Sequence, residues 1–170
     1  MAREKEIADQ VTWIHGDATT LPPLHADLAI MTGNVAQVFL TDEEWLATLI
    51  GLRDELKDHG GLVFETRRPE GRSWEEWAVD TDPVVRDVPR VGEVEQRRTV
   101  TQVALPYVSF RYVYKFTRDG LTLTSNSTLR FRSREEIEQS LADTGFTTLD
   151  VRDAPDRPGR EYVFIVEGTR

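Results

Sequence analysis

Val11–Ala18 reads VTWIHGDA, an apolar run that breaks at a glycine and places the carboxylate of Asp17 just beyond it. The run predicts a short strand, Val11–His15. A second apolar run, Ala26–Met31, ends in the same way at Thr32–Asn34. Strands that end in glycine and polar residues are typical of the rim of an open α/β sheet, where ligands bind beyond the carboxyl ends of the strands.

The length and composition indicate a single domain over residues 1–170. A chain of 170 residues is long enough to bury a hydrophobic core. Hydrophobic residues make up 39% of it and charged residues 30%, which is ordinary for a globular protein. The net charge of -9 argues against nucleic acid as a partner, because the phosphates would repel the protein.

The chain has no cysteine, which excludes disulfides, thiolate metal ligands and a cysteine nucleophile. It also has no His-x-x-x-His pair and no EF-hand pattern, so we expect no metal site. No apolar run approaches the ~20 residues that span a bilayer. The charged start, Met1–Glu6, is not followed by the apolar stretch of a signal peptide. These features fit a cytoplasmic protein without a membrane partner.

The first part of the chain predicts a β-α-β arrangement. Arg3–Asp9 has the pattern of the last turns of a helix, and Leu28–Met31 that of a buried strand. Thr41 can cap a helix, with Glu44 as its capping-box partner. The helix continues to a stop at Gly60-Gly61, and apolar residues recur along it at Trp45, Leu49, Leu52 and Leu56. The strand Leu62–Thr66 follows, so the two strands are expected to be parallel.

The middle of the chain has a different character. Pro69–Pro89 is polar and rich in turn residues, and three β-type runs follow it: Val100–Leu105, Val108–Phe116 and Leu121–Arg132. Asp119-Gly120 has the turn chemistry of a hairpin between the last two runs. We therefore predict an antiparallel β insertion over about residues 78–132.

The α/β pattern then resumes. Ser133 with Glu136 predicts a second capping box, and two strands, Thr147–Arg152 and Glu161–Glu167, are expected to pair as an antiparallel hairpin. The charged cluster between and beside these strands is most simply a salt-bridged turn; it comprises Asp153, Asp156, Arg157, Arg160 and Glu161.

These motifs resemble, in their order and spacing, the second half of a class I S-adenosylmethionine-dependent methyltransferase. The resemblance rests on Gly16–Ala18 after the first strand, Asp27–Ile30 before a turn, and the helix Trp45–Gly61 with the strand that follows it. The closing part is also similar, with Leu129–Ser133 before a helix that ends at Thr144–Phe146. The resemblance implies a three-layer, Rossmann-like α/β fold, S-adenosylmethionine as cofactor and methyl transfer to a small-molecule acceptor.

The sequence departs from the family in one large respect. It contains no Gly-x-Gly, whereas the family's glycine-rich loop lets the backbone approach the cofactor. The strand whose final acid binds the ribose hydroxyls has no counterpart either. We therefore expect an N-terminally truncated fold that binds the cofactor weakly or not at all, with unpaired strand edges that invite a homodimer. The alternative is a degenerate domain that acts as a non-catalytic binding or oligomerisation module.

The resemblance implies two groups of cofactor contacts: Gly16, Asp17 and Ala18 in one, Thr32, Gly33 and Asn34 in the other. Asp17 would accept a hydrogen bond from the adenine amino group, which suits an ionised carboxylate. The alternative for Asp17 is a solvated turn residue that caps the next segment.

Substrate contacts are expected after the strand Leu62–Thr66, at Arg67 and Trp74. Trp77 is interpreted as structural, and Arg130 and Arg132 as surface cations that pair with acids. No catalytic residue is assigned, because methyl transfer often needs only the alignment of nucleophile and methyl group.

Overall fold

The structure, a computed structural model, describes residues 10–169, which form two sheets joined by helices. The first sheet contains β1 (Ala26–Met31), β2 (Leu56–Arg67), β7 (Phe146–Asp153) and β8 (Glu161–Gly168). Its order is β1-β2-β8-β7, with β1 and β2 parallel and the other neighbours antiparallel. The parallel pair and the closing hairpin are therefore confirmed.

The second sheet is antiparallel and follows chain order. Its strands are β3 (Val84–Val88), β4 (Gly92–Ala104), β5 (Tyr107–Phe116) and β6 (Thr122–Arg130). This confirms the antiparallel β segment in the middle of the chain, with β3 as a strand that the sequence did not predict.

Three helices connect the strands in the described part of the chain: α1 (Asp42–Glu55), α2 (Ser73–Val79) and α3 (Arg134–Asp143). Both predicted capping boxes are present. The Glu44 amide donates to the Thr41 hydroxyl at 3.1 Å, and the Glu136 amide donates to the Ser133 hydroxyl at 3.2 Å. None of the helices in this part of the chain is long and apolar enough to cross a membrane.

The main core lies between one face of the first sheet and the helices α1 and α3. Phe64 on β2 stacks on Phe164 of β8, its cross-strand partner, with the ring centroids 5.0 Å apart. The helices contribute Trp45, Leu49, Ile137 and Leu141 to the same cluster. A second, smaller core joins α2 to the second sheet, where Trp74 packs edge-on against Phe131 at 4.9 Å.

The predicted strand Val11–His15 is wrong. These residues form neither a helix nor a strand, they pair with no strand of the described chain, and Trp13 is 90% exposed. A strand needs a neighbour to complete its hydrogen bonds, and within residues 10–169 β1 pairs with β2 alone. The predicted helix Arg3–Asp9 lies outside the described residues.

Two boundaries also differ from the prediction. Helix α1 ends at Glu55, because Leu56 already pairs with Ala26 of β1, and the predicted stop at Gly60-Gly61 lies inside β2. A Cβ on Gly60 would meet the Leu56 Cβ at 3.0 Å, so the glycine serves close backbone packing rather than a helix end.

The burial predicted for Leu28–Met31 is also wrong. Leu28 is 50% exposed and Ile30 62% exposed, because β1 is an edge strand and these two side chains point away from the main core. The polar segment Pro69–Pro89 likewise contains α2 and β3, where turns were expected.

Candidate functional site

The chain turns sharply where β1 ends. Thr32 leads into Gly33 at a φ of 73° and Asn34 at a φ of 59°. Glycine and asparagine are the residues that adopt this left-handed conformation most readily. The Gly33 amide donates a 2.7 Å hydrogen bond to Oε1 of Glu65 on β2. The turn is therefore fixed to the carboxyl end of the neighbouring parallel strand.

Two buried amide side chains near this turn are only half satisfied. Asn34 is 2% exposed; its Nδ2 donates to Glu161 Oε1 at 3.0 Å, and its Oδ1 has no partner among the described residues. Gln37 is 1% exposed; its Oε1 accepts from Arg67 at 3.0 Å, and its Nε2 likewise has no partner in that part of the chain. Because buried polar atoms are almost always paired, these two atoms mark a place where a ligand can complete the hydrogen bonding.

Arg67 lies at the centre of this group. Its Nε is 3.7 Å from Glu161 Oε1, and its guanidinium lies over the Trp77 ring, 5.1 Å from the centroid. Burial lowers the pKa of Arg67, and the nearby Glu161 carboxylate opposes that effect. The arginine is therefore held as a cation in a largely desolvated position.

These side chains line a central cleft between the carboxyl ends of β1 and β2 and the second sheet. One cavity of the cleft has a volume of about 200 Å³, and its walls include Gly33, Asn34, Arg67, Trp77, Arg98 and Tyr112. A second cavity of about 290 Å³ shares Arg67, Trp77 and Arg98 and adds Arg157, Arg160 and Glu161. The central cleft thus lies where α/β proteins bind ligands.

Asp17 belongs to a different feature. Its Oδ1 accepts hydrogen bonds from the Thr19 hydroxyl at 2.6 Å and the Thr19 amide at 2.9 Å, which hold the pKa of Asp17 below 3.8. The turn rests on α1, because a Cβ on Gly51 would lie only 2.1 Å from the Ala18 carbonyl oxygen. Asp17 and Phe39 line a depression beside α1 of about 290 Å³, which we call the α1 depression.

The structure brings some of the predicted site residues together and separates others. Gly33, Asn34 and Arg67 line the central cleft, and Thr32 precedes them at the end of β1. Gly16, Asp17 and Ala18 form the turn at the α1 depression, so the two groups of predicted cofactor contacts lie at separate cavities.

The two tryptophans of α2 lie in surroundings that differ from those predicted. Trp74, the predicted substrate contact, is 5% exposed and packs into the second core against Phe131. Trp77, interpreted as structural, lines both cavities of the central cleft. The two residues are three positions apart on α2, which is close to one helical turn. The hydrophobic periodicity of the sequence therefore does not show which of the two is buried.

Other residues of the cleft were missed by sequence reasoning. Glu161, which we interpreted as part of a salt-bridged turn, is 2% exposed and accepts from Arg157 at 2.7 Å as well as from Asn34. Arg98 reaches the cleft from β4, which begins at Gly92, whereas the predicted run began only at Val100 and left Arg98 out. Gln37 carried no signal of its own.

The sequence matches no protein-family model and no curated protein. Several solved structures are nevertheless similar. An S-adenosylmethionine-dependent methyltransferase from Clostridium acetobutylicum has a TM-score of 0.72 at 15% identity, covering 99% of this chain and 70% of that one. The methyltransferase CcbJ from Streptomyces caelestis has a TM-score of 0.71 at 15% identity, covering 99% and 69%.

A third structure is CalS10 from Micromonospora echinaspora, an amino pentose methyltransferase with S-adenosylmethionine bound. It has a TM-score of 0.63 at 18% identity and covers 91% of this chain and 63% of that one. Similarity at this level of identity establishes the fold. The α/β, Rossmann-like methyltransferase fold predicted from the resemblance is therefore confirmed.

Proposed function

We propose that the protein is an S-adenosylmethionine-dependent methyltransferase that acts on a small-molecule acceptor. The observation that carries the proposal is the unpaired Oδ1 of Asn34, which is buried in the central cleft at the carboxyl ends of β1 and β2. The similarity of the fold to methyltransferase structures supports the same reading. A buried acceptor at this edge of the sheet fits a ligand that presents an N–H group.

The cofactor supplies an activated methyl group when it is bound. We propose that the turn Gly16–Ala18 holds its adenine, with the Asp17 carboxylate accepting from the exocyclic amine. Both Thr19 hydrogen bonds go to Oδ1 of Asp17, which leaves Oδ2 to accept from the amine. Thr32, Gly33 and Asn34 would lie toward the methyl-donating end.

The residues of this chain contribute to the reaction by holding the reactants in position. Asn34 is fixed by Glu161, and Gly33 by Glu65, so the turn after β1 is rigid before any ligand binds. Alignment of two reactants in a fixed geometry can by itself supply much of the acceleration of methyl transfer. We propose that Arg67 and Trp77 hold the acceptor against this turn, and we assign no general base.

Calorimetric titration with S-adenosylmethionine tests the proposal. Because the chain has no Gly-x-Gly, we expect weak binding that depends on Asp17 and Asn34. Asp17→Ala should weaken it about tenfold or more, since it removes a hydrogen bond to a charged group. Asp54→Ala, which removes an exposed acid from α1, is the matched control. Undetectable binding at millimolar cofactor would contradict the proposal and favour the non-catalytic module.

Transfer of the methyl group needs a separate measurement. Isotope-labelled S-adenosylmethionine, incubated with a panel of small-molecule amines and alcohols, should label at least one class of acceptor. Asn34→Ala should reduce that labelling, while Asp54→Ala should not. Cofactor binding without labelling of any acceptor would also favour the binding module.

We also propose that the free edge of β1 pairs with a second copy of the chain. The support is the exposure of Leu28 and Ile30 on a strand that pairs on one side only among the described residues. Sedimentation analysis should show a dimer, and Ile30→Lys should disrupt it. Ile50→Lys, which changes an exposed isoleucine on α1, is the control and should leave the dimer intact. A monomer at all concentrations would contradict this. The cytoplasmic location stays a prediction.

A further inference from the structure

The second cavity of the central cleft is rich in positive charge although the whole chain is acidic. Four arginines line it against two glutamates, whereas the chain carries a net charge of -9; the six residues are Arg67, Arg98, Arg157, Arg160, Glu76 and Glu161. This local excess of cations creates a field that favours an anion.

Most of this positive charge is already paired. Arg157 lies 2.7 Å from the buried Glu161 carboxylate, and Arg160 pairs with Glu76. Arg67 donates to Gln37 and lies 3.7 Å from Glu161. The arginine that remains weakly paired is Arg98.

Arg98 has an unused hydrogen-bond donor. Its Nε is buried and has no hydrogen-bond partner within residues 10–169. Its nearest carboxylate is that of Asp80, at 3.8 Å, which is 68% exposed and beyond hydrogen-bonding distance. A buried guanidinium N–H without an acceptor costs free energy, so a ligand oxygen at this position would be stabilising. The unpaired Nε2 of Gln37, beside Arg67, is a second buried donor that calls for the same kind of ligand atom.

Both Arg67 and Arg98 contact the Trp77 ring, and both line the two cavities of the central cleft. The Arg67 guanidinium lies 5.1 Å and the Arg98 guanidinium 5.2 Å from the centroid of its ring. Such contacts stabilise a cation over an aromatic face and restrict its orientation. Two guanidinium groups on one indole make a pre-positioned anion receptor, since each can donate two parallel hydrogen bonds to an oxyanion.

We propose that the methyl acceptor carries an anionic group, a carboxylate or a phosphate, which binds to Arg98 and Arg67 beside Trp77. The identification of this ligand as the methyl acceptor rests on the proposed function. Arg98 comes from the second sheet, whereas the proposed adenine contact Asp17 lies at the α1 depression. The anionic group bound by Arg98 is therefore assigned to the acceptor and not to the adenine end of the cofactor.

The anion site can be tested without knowing the acceptor. Inorganic phosphate and succinate are titrated into the full chain at constant ionic strength, and tryptophan fluorescence is followed, because Trp77 lies against both arginines. Arg98→Gln should weaken binding of the preferred anion about tenfold or more. Arg98→Lys keeps the charge without the planar fork and should give an intermediate loss.

Arg97→Gln is the matched control. Arg97 is the neighbour of Arg98 on β4, points to the opposite face of the sheet and is 52% exposed. The Arg97→Gln variant should bind phosphate and succinate as tightly as the unchanged chain does. An equal loss in both variants, or no loss in Arg98→Gln, would overturn the proposal. Unfolding in urea checks that Arg98→Gln is folded, and Arg98→Lys decides the matter if it is not.

Two further measurements are needed. One distinguishes a phosphate from a carboxylate as the bound group, and the other tests the anion site separately from the proposed methyltransferase function. The stronger binder of phosphate and succinate identifies which oxyanion the acceptor carries. If Arg98→Gln weakens S-adenosylhomocysteine but not 5′-methylthioadenosine, which lacks the carboxylate, Arg98 serves the cofactor and the proposal is overturned. Arg98-dependent phosphate binding without any cofactor binding would contradict the proposed function and leave the anion site standing.

Discussion

Asn34 and Glu161 are 127 residues apart in sequence, yet the Nδ2 of Asn34 donates a 3.0 Å hydrogen bond to the Glu161 carboxylate. Both side chains are 2% exposed. The bond joins the turn after β1 to the start of β8, although β2 lies between these strands in the sheet. Since a carboxylate only accepts, the orientation of the amide is fixed, and Oδ1 is the atom left for a ligand.

Asn34→Asp should therefore destabilise the fold strongly, although the two side chains are nearly the same size. It places a second carboxylate against buried Glu161, and we expect the free energy of unfolding to fall by about 3 kcal/mol at pH 7. Asn34→Gly, which keeps the left-handed backbone and removes only the amide, is the control. Urea unfolding at pH 7 gives the comparison, and equal losses for the two variants would contradict the argument.

Gly51→Ala should displace the Asp17 turn while leaving α1 intact. Alanine is normally better than glycine inside a helix by about 1 kcal/mol. Here its Cβ would lie 2.1 Å from the Ala18 carbonyl oxygen, a backbone atom that cannot rotate away. We expect the free energy of unfolding to stay within about 1 kcal/mol and the Thr19 amide to lose protection from hydrogen exchange. Unchanged protection at Thr19 would show that the turn does not depend on this contact.

The Asp17 turn should loosen in acid. The Thr19 hydrogen bonds lower the pKa of Asp17 in the folded chain below its ordinary value of 3.8. Their stabilising effect is then fully present above pH 3.8 and is lost as the pH falls through the lowered value. The NMR shift of the Thr19 amide should titrate with a midpoint below 3.8, and in Asp17→Asn it should not titrate. A midpoint at or above 3.8 would contradict the hydrogen-bonded geometry.

The elements that could be predicted are those with local signals. The capping boxes at Thr41 and Ser133 are complete within four residues of sequence, and the Asp119-Gly120 turn is also local. The strand Val11–His15 failed for a non-local reason. Its apolar residues suit a strand, but strand formation depends on a neighbour that is distant in sequence.

The residues of the candidate site also fall into those with a local sequence signal and those without one. Gly33 and Asn34 were found because the end of a strand and a glycine mark a turn. Glu161 and Arg98 were not, because their place in the cleft depends on contacts with residues far along the chain. The burial of Trp74 rather than Trp77 likewise depends on how α2 meets the second sheet.

Arg132 shows the same dependence on distant contacts. It was interpreted as a surface cation, but its side chain is 4% exposed, and its guanidinium donates to the carbonyl oxygens of Phe39 and Thr41, each at 2.9 Å. It also lies over the Trp45 ring at 5.4 Å. Burial, together with the neighbouring Arg130, lowers the pKa of Arg132 to about 10. This arginine holds the segment that leads into α1.

Arg132→Lys should consequently destabilise the chain although it keeps the charge. Lysine lacks the planar fork that reaches both carbonyl oxygens, so at least one charge-assisted hydrogen bond of this buried side chain is lost, and we expect a loss of about 2 kcal/mol in urea unfolding. Arg134→Lys, two residues later, is the control, because Arg134 is 46% exposed and pairs with Glu138 on the surface of α3 at 2.8 Å. That variant should lose much less, because an exposed ion pair contributes little to stability. Similar losses for the two variants would mean that the carbonyl contacts of Arg132 do not stabilise the fold.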